Sequence, residues 1–290
     1  MDLNGRRESS NVEDRRGMSG GTKAGLGLGG IVIVGLITLL MGGNLGDVLS
    51  MVAGSGGLTT TTTQTSGNRE FTPQEQELAI FAKRVLASTE DVWTSVFSKY
   101  GATYQSPTMV LYSGATTSGC GSANSSVGPF YCSADQCLYI DLSFFSSMKR
   151  QLGADGDFAY AYVIAHEVGH HVQYLLGTLG KAHQQMARMS KTESNKMSVR
   201  IELQADYYAG VWGYHENSMY KSLDDGDLKE AIDCAQVIGD NYLQKKSTGT
   251  VQPDLFTHGT SAQRMKWLKA GLTSGDLRGG DTFSCNYNQL

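Results

Sequence analysis

Residues 157–176, DFAYAYVIAHEVGHHVQYLL, decide the reading of this chain. The run holds no Pro, its one Gly is Gly169, and Asp155 or Asp157 can cap its start, so it reads as a helix. Residues four apart share a helix face, which sets His166 and His170 side by side. Phe158, Tyr162, Ala165, Val172 and Leu176 make the stripe expected to be buried. Two imidazoles and a carboxylate in a mostly apolar helix need partners, because buried polar groups are costly without them. A shared Zn²⁺ is such a partner. The H-E-x-x-H spacing also places Glu167 to act as general base toward water at the metal.

A catalytic zinc site needs a third protein ligand and leaves a fourth position open. A His six residues after His170 would supply it in one known pattern, but Leu176 stands there and Gln173 replaces the intervening Gly. A second helix offers another donor. Residues 200–213, RIELQADYYAGVWG, are helical in pattern, with Glu202 and Asp206 on one face. Glu202 is expected to bind the metal. Asp206 is expected to accept a hydrogen bond from the free ring nitrogen of a ligand His and fix its orientation. A solvated acidic face is the ordinary alternative, but Ile201, Leu203, Ala205, Tyr207, Tyr208 and Val211 surround the pair.

H-E-x-G-H followed by E-x-x-A-D resembles the gluzincins, especially the membrane-associated endopeptidases related to the CAAX prenyl protease. Further segments narrow the likeness. They are GRRESSNVEDRRG (5–17), GPFYCSADQCLYIDLSFF (128–145), HEVGHHVQ (166–173), ELQADYYAGVW (202–212) and FTHGTSAQRMKWLKAG (256–271). Together they resemble the bacterial neutral zinc metallopeptidase family over nearly the whole chain. The resemblance implies a zinc metallopeptidase acting on a peptide or protein substrate. Thr257-His258, with Arg264 six residues on, is similar to the Thr-His-Pro…Arg element of the prenyl-protease relatives, except that Gly259 replaces the Pro. That likeness implies a catalytic role for His258 and a place near the site for Arg264, one of them steadying the oxyanion. A surface His258 beside a helix cap is the plainer reading.

A net charge of −4 and a pI near 5.9 give no basic field for nucleic acid. From 24 to 46 no residue is charged, and 26–41 is strongly apolar, long enough to cross a bilayer. Seven glycines between Gly25 and Gly43 suit a membrane helix better than a soluble one. Arg6, Arg7, Arg15, Arg16 and Lys23 precede this run, and no basic residue occurs from 24 to 68. The positive-inside rule then predicts a single-pass cell-membrane protein, with a cytoplasmic segment 1–23, an anchor 24–46 and an extracytoplasmic catalytic domain 71–290. Residues 47–70, with five consecutive Thr at 59–63, read as a flexible linker. An extracytoplasmic site permits disulfides. Of the five cysteines, Cys120 and Cys132 are the first pair expected and Cys234 with Cys285 a weaker second, leaving Cys137.

The expected fold is mostly helical α+β, a zincin-like domain with a small sheet, preceded by one transmembrane helix. Helices are expected at 74–100, 180–190, 195–217, 226–244 and 260–273, with strands at 108–112 and 138–142. The segment 136–142 is the candidate for pairing with an extended substrate. A non-catalytic zinc-containing envelope scaffold or peptide-binding protein is the competing function, and a zinc amidase acting on cell-wall peptides is a weaker third.

Overall fold

The computed structural model describes residues 1–17, 70–224 and 226–290. The expected anchor 24–46, and all of the linker except residue 70, lie outside these residues. Among the described residues no helix is long and apolar enough to cross a membrane.

The described residues form a mostly helical α+β structure with a small sheet. In chain order they give β1 (Val12–Asp14), α1 (Pro73–Lys99), β2 (Thr108–Tyr112), β3 (Ala115–Ser118), β4 (Gly121–Asn124), β5 (Phe130–Cys132) and β6 (Cys137–Asp141). Then come α2 (Ser143–Leu152), α3 (Asp157–Leu175), α4 (Thr178–Met186), α5 (Lys191–Tyr220), α6 (Asp227–Val237), α7 (Asp240–Thr248) and α8 (Ser261–Ser274). The sheet order is β1-β2-β6-β5, and β3 and β4 form a separate hairpin. β2 runs parallel to β1 and β6, while β5 is antiparallel to β6. Alternation along β2 explains why 109–112, MVLY, is buried on both faces. Met109 and Leu111 join the main core, and Val110 and Tyr112 join a second cluster with Phe130 and Tyr139.

The expected strand at 138–142 is β6. It lies between β2 and β5, so both of its edges are occupied and 136–142 offers no free edge to a substrate. The strand β1 is not legible as a strand in the sequence. It extends the sheet from the N-terminal segment, with Val12 opposite Met109 and Asp14 opposite Leu111. The expected helix 226–244 is two helices, α6 and α7, broken where Gly239 turns to an extended conformation.

α3 is buried nearly all round, as an apolar helix without a clear polar face should be. Leu176 departs from the expected stripe and is exposed at the helix end. Neither Asp155 nor Asp157 caps the start by its side chain; Glu230 of α6 accepts the Phe158 N–H at 3.1 Å instead. Ser190 caps α5, and Thr260 with Gln263 forms a capping box on α8.

Of the expected disulfides, Cys120–Cys132 is present. The Cys234–Cys285 pair is not: Cys234 is buried in α6 against Met148, whereas Cys285 sits beside Arg200 in the C-terminal segment. Cys137 is free, as expected.

α3, α5 and α8 cross at unusually short range. A Cβ on Gly169 would stand 2.9 Å from the Ala205 carbonyl oxygen, and one on Gly271 would stand 2.1 Å from that of Tyr207. Gly210 faces α8 in the same way, 2.3 Å from the Leu268 oxygen. These contacts are with backbone, which cannot turn aside. Gly169→Ala should therefore force α3 and α5 apart and destabilise the protein by about 1–3 kcal/mol. Thermal denaturation checks this, and an unchanged midpoint would show that the crossing has slack.

Candidate metal centre

The crossing of α3 and α5 decides the geometry of the site. One turn before Gly169 lies His166, and beside it His170. Glu202 lies one turn before Ala205. The ligand atoms of His166, His170 and Glu202 all fall within 4.8 Å of one another, and all three residues are buried. His166 Nε2 lies 3.1 Å from Glu202 Oε2, and His170 Nε2 lies 3.6 Å from Glu202 Oε1. The two imidazoles thus turn the same nitrogen toward one carboxylate.

Their other nitrogens are held from behind. His166 Nδ1 is 2.7 Å from Asp206 Oδ1. Asp206, with no exposed surface, also accepts from Tyr162 Oη at 2.6 Å and from Arg264 Nε and Nη2 at 2.9 and 2.8 Å. His170 Nδ1 is 2.9 Å from Gln173 Oε1, and the Gln173 amide donates to the Ile201 carbonyl and to Gln204 Oε1. Ring orientation fixed in this way leaves each Nε2 facing the shared centre.

The charges favour a cation at that centre. Burial opposes a charge on His166, but Asp206 and then Glu202 outweigh it and push its pKa up to about 10. Burial works against the Glu202 carboxylate too, yet His170 and His166 hold it well below the usual range. Asp206 is held at about 2 against burial, chiefly by Arg264 and then His166. A proton or a metal ion between the rings satisfies this field. Two imidazoles and one carboxylate, with none of them exposed, are a donor set that suits Zn²⁺.

Glu167 is also buried, and burial raises its pKa. Its Oε2 has no hydrogen-bond partner. An acceptor this buried is costly unless something arrives to use it. The four residues line a narrow cavity whose apolar wall includes Val127, Pro129, Phe144, Val163 and Ile238.

His258 and Arg264 also line that cavity. His258 is 5% exposed, so it is not a surface residue. Its Nδ1 lies 3.2 Å from Asp240 Oδ1, and Asp240 outweighs burial to raise its pKa. Asp240 Oδ2 meanwhile accepts the backbone N–H groups of Thr257, His258 and Gly259 at 2.7, 2.7 and 3.0 Å. That clamp explains Gly259. Its φ of +97° is closed to Pro, and Pro has no N–H to donate. Arg264 is turned to Asp206 and the Tyr162 hydroxyl, and its third contact is the Ile238 carbonyl.

Tyr162, Gln173, Gln204 and Asp240 were not singled out for the site by sequence. Gln173 had a usable signal, lying three residues from His170 on the same helix face. Asp240 had none, because its partner loop is eighteen residues away. His171 faces away from the centre, bonded to the Tyr131 hydroxyl and the Gln105 carbonyl.

No solved structure matches the chain significantly. "Uncharacterized protein YpfJ" of Escherichia coli K12 is 50% identical over 98% of this chain and 99% of its own length. "Uncharacterized protein Mb2605" of Mycobacterium bovis is 42% identical over 68% of each chain. The profile of the family described as "Putative neutral zinc metallopeptidase" matches residues 1–283, and the chain belongs to that family.

Proposed function

We propose that the chain is a zinc-dependent peptidase in which His166, His170 and Glu202 hold the metal and Glu167 is the general base. One observation carries this reading. A buried three-donor cluster stands beside a buried carboxylate oxygen with no partner. A purely structural zinc would be closed by four protein ligands, and the described residues bring three together. The packing of a small sheet and a motif helix also supports a zincin-like arrangement.

Zn²⁺ bound there would acidify water and polarise a substrate carbonyl. Glu167 takes the proton from the attacking water and later delivers it to the leaving amine. Its raised pKa suits both transfers, since a carboxylate nearer neutrality gives up a proton as readily as it takes one. His258, whose pKa Asp240 raises against burial, faces the cavity as a donor to the oxygen that becomes negative when water adds to the carbonyl. Asp206, Gln173 and Arg264 orient the ligands. The peptide lies beside β5 rather than β6, because β5 is the edge strand and Val127 and Pro129, just before it, line the cavity.

Three experiments test this reading on the purified full chain. Chelation should abolish hydrolysis of a mixed peptide library, and added Zn²⁺ should restore it. If a chelated, metal-free sample cleaves as fast as the loaded one, the metal assignment fails. Glu167→Gln should retain zinc by elemental analysis but lose roughly 10²–10⁴-fold in rate, whereas His166→Ala should lose the metal as well. Comparable cleavage by Glu167→Gln would remove Glu167 from the mechanism.

Asp240→Asn should lower kcat more than it raises KM and should move the alkaline limb of the pH profile downward. The sign follows from the raised pKa. His258 is cationic below it, so the donor is lost as pH climbs through that value. Without Asp240, the loss comes at lower pH. An unmoved limb would assign Asp240 to loop structure alone.

A further inference from the structure

The N-terminal segment is built into the domain that carries the metal centre. Met109 N–H donates to the Asn11 carbonyl at 2.9 Å, and Arg15 N–H donates to that of Leu111 at 2.7 Å, so β1 completes the sheet edge. Leu3 is 4% exposed within the main core. Ser9 Oγ bonds Glu90 at 2.5 Å, and Arg16 Nη1 bonds the Glu75 carbonyl at 2.9 Å. Arg6 pairs with Glu216 at 2.9 Å, stacks on Tyr220, and reaches Asp91.

Four of the five basic residues before the apolar run therefore have acidic partners. Arg6 and Arg7 pair with Glu216, Glu90 and Asp91, Arg15 with Glu13, and Arg16 with Asp14. Their count does not describe a free basic tail held back on one side of a membrane. A chain crossing a bilayer once between residues 17 and 70 would put β1 and β2 about 30 Å of hydrocarbon apart. Strands in one ladder lie about 5 Å apart.

We propose that residues 1–17 are a structural strap of the domain formed by 70–290 and lie on the same side of any membrane as that domain. A single crossing by 24–46 is incompatible with this. The strap holds whether or not the site hydrolyses peptides. The family match starting at residue 1 also treats the segment as part of the shared unit.

The test uses full-length chain in intact cells. Ser10 and Thr250 are both exposed, and each is changed to Cys in turn in a background with Cys137→Ser and Cys285→Ser; Cys234 is fully buried. A membrane-impermeant maleimide is applied before and after permeabilisation. Ser10→Cys and Thr250→Cys should show the same pattern, both reacting in intact cells or both only after permeabilisation. Reaction of one in intact cells and of the other only after permeabilisation would overturn the proposal. Independently, Arg6→Glu in purified full chain should lower Tm by at least about 2 °C, since it sets a third acid against Glu216 and Asp91. An unchanged Tm would show that the strap is not docked.

Discussion

The site depends on how closely two helices can approach. Gly169 of α3 sits against the backbone of Ala205 in α5, and any side chain at Gly169 would meet carbonyl oxygen. Helix axes usually lie 8–10 Å apart according to the side chains at the contact. A Gly–Ala contact brings them to the short end of that range. Only then can an imidazole from one helix and a carboxylate from the other reach one point. The Gly of H-E-x-G-H and the Ala of E-x-x-A-D are thus one structural element, split between two motifs. The same device recurs on the other side of α5, where Gly210 and Gly271 let α8 close in and carry Arg264 to Asp206.

Charge is arranged in a chain that ends at the candidate metal centre. Arg264 holds Asp206 ionised, Asp206 fixes His166, and His166 faces Glu202. Each link is buried, so each partner is needed by the next. A buried carboxylate left alone would take up a proton rather than stay charged. Tyr162 adds its hydroxyl to Asp206 from the same helix as His166. The second arm, through Gln173 and Gln204 to the Gly280 carbonyl, is neutral. Its work is orientation without charge, which leaves the net balance at the centre to the carboxylates.

The parts of this architecture that were legible in sequence are those coded within one helix. The spacing of His166 and His170, and of Glu202 and Asp206, is a property of a single helical turn, and it sets each pair on one face of its own helix. What was not legible joins distant segments. Three residues of β1 carry no strand signature of their own, since Glu13 and Asp14 are poor strand formers. They are extended because β2 offers an edge to pair with. The cap of α3 comes from Glu230, and the orienting acid of His258 comes from Asp240. No spacing rule reaches either. Gly in place of Pro at 259 is visible in the sequence, but its reason lies in the +97° backbone and the Asp240 clamp, which no local pattern encodes.

α5 connects the N-terminal segment to the site. It carries Glu202 and Asp206, and fourteen residues beyond Glu202 it carries Glu216. A helix rises about 1.5 Å per residue, so Glu216 lies about 21 Å down the same rod. There it is fully buried, accepting from Ser88 at 2.5 Å, from Ser222 at 3.0 Å and from Arg6. Trp212, between the two ends, donates to the same Ser88 at 2.8 Å. An acid this deep is tolerated only with its cation in place. Arg6 therefore stabilises the far end of the helix whose near end presents Glu202, the third donor of the candidate metal centre. A rigid rod pinned at one end limits rocking at the other, and a donor set needs that limit, because metal ligands tolerate only a few tenths of an ångström of error.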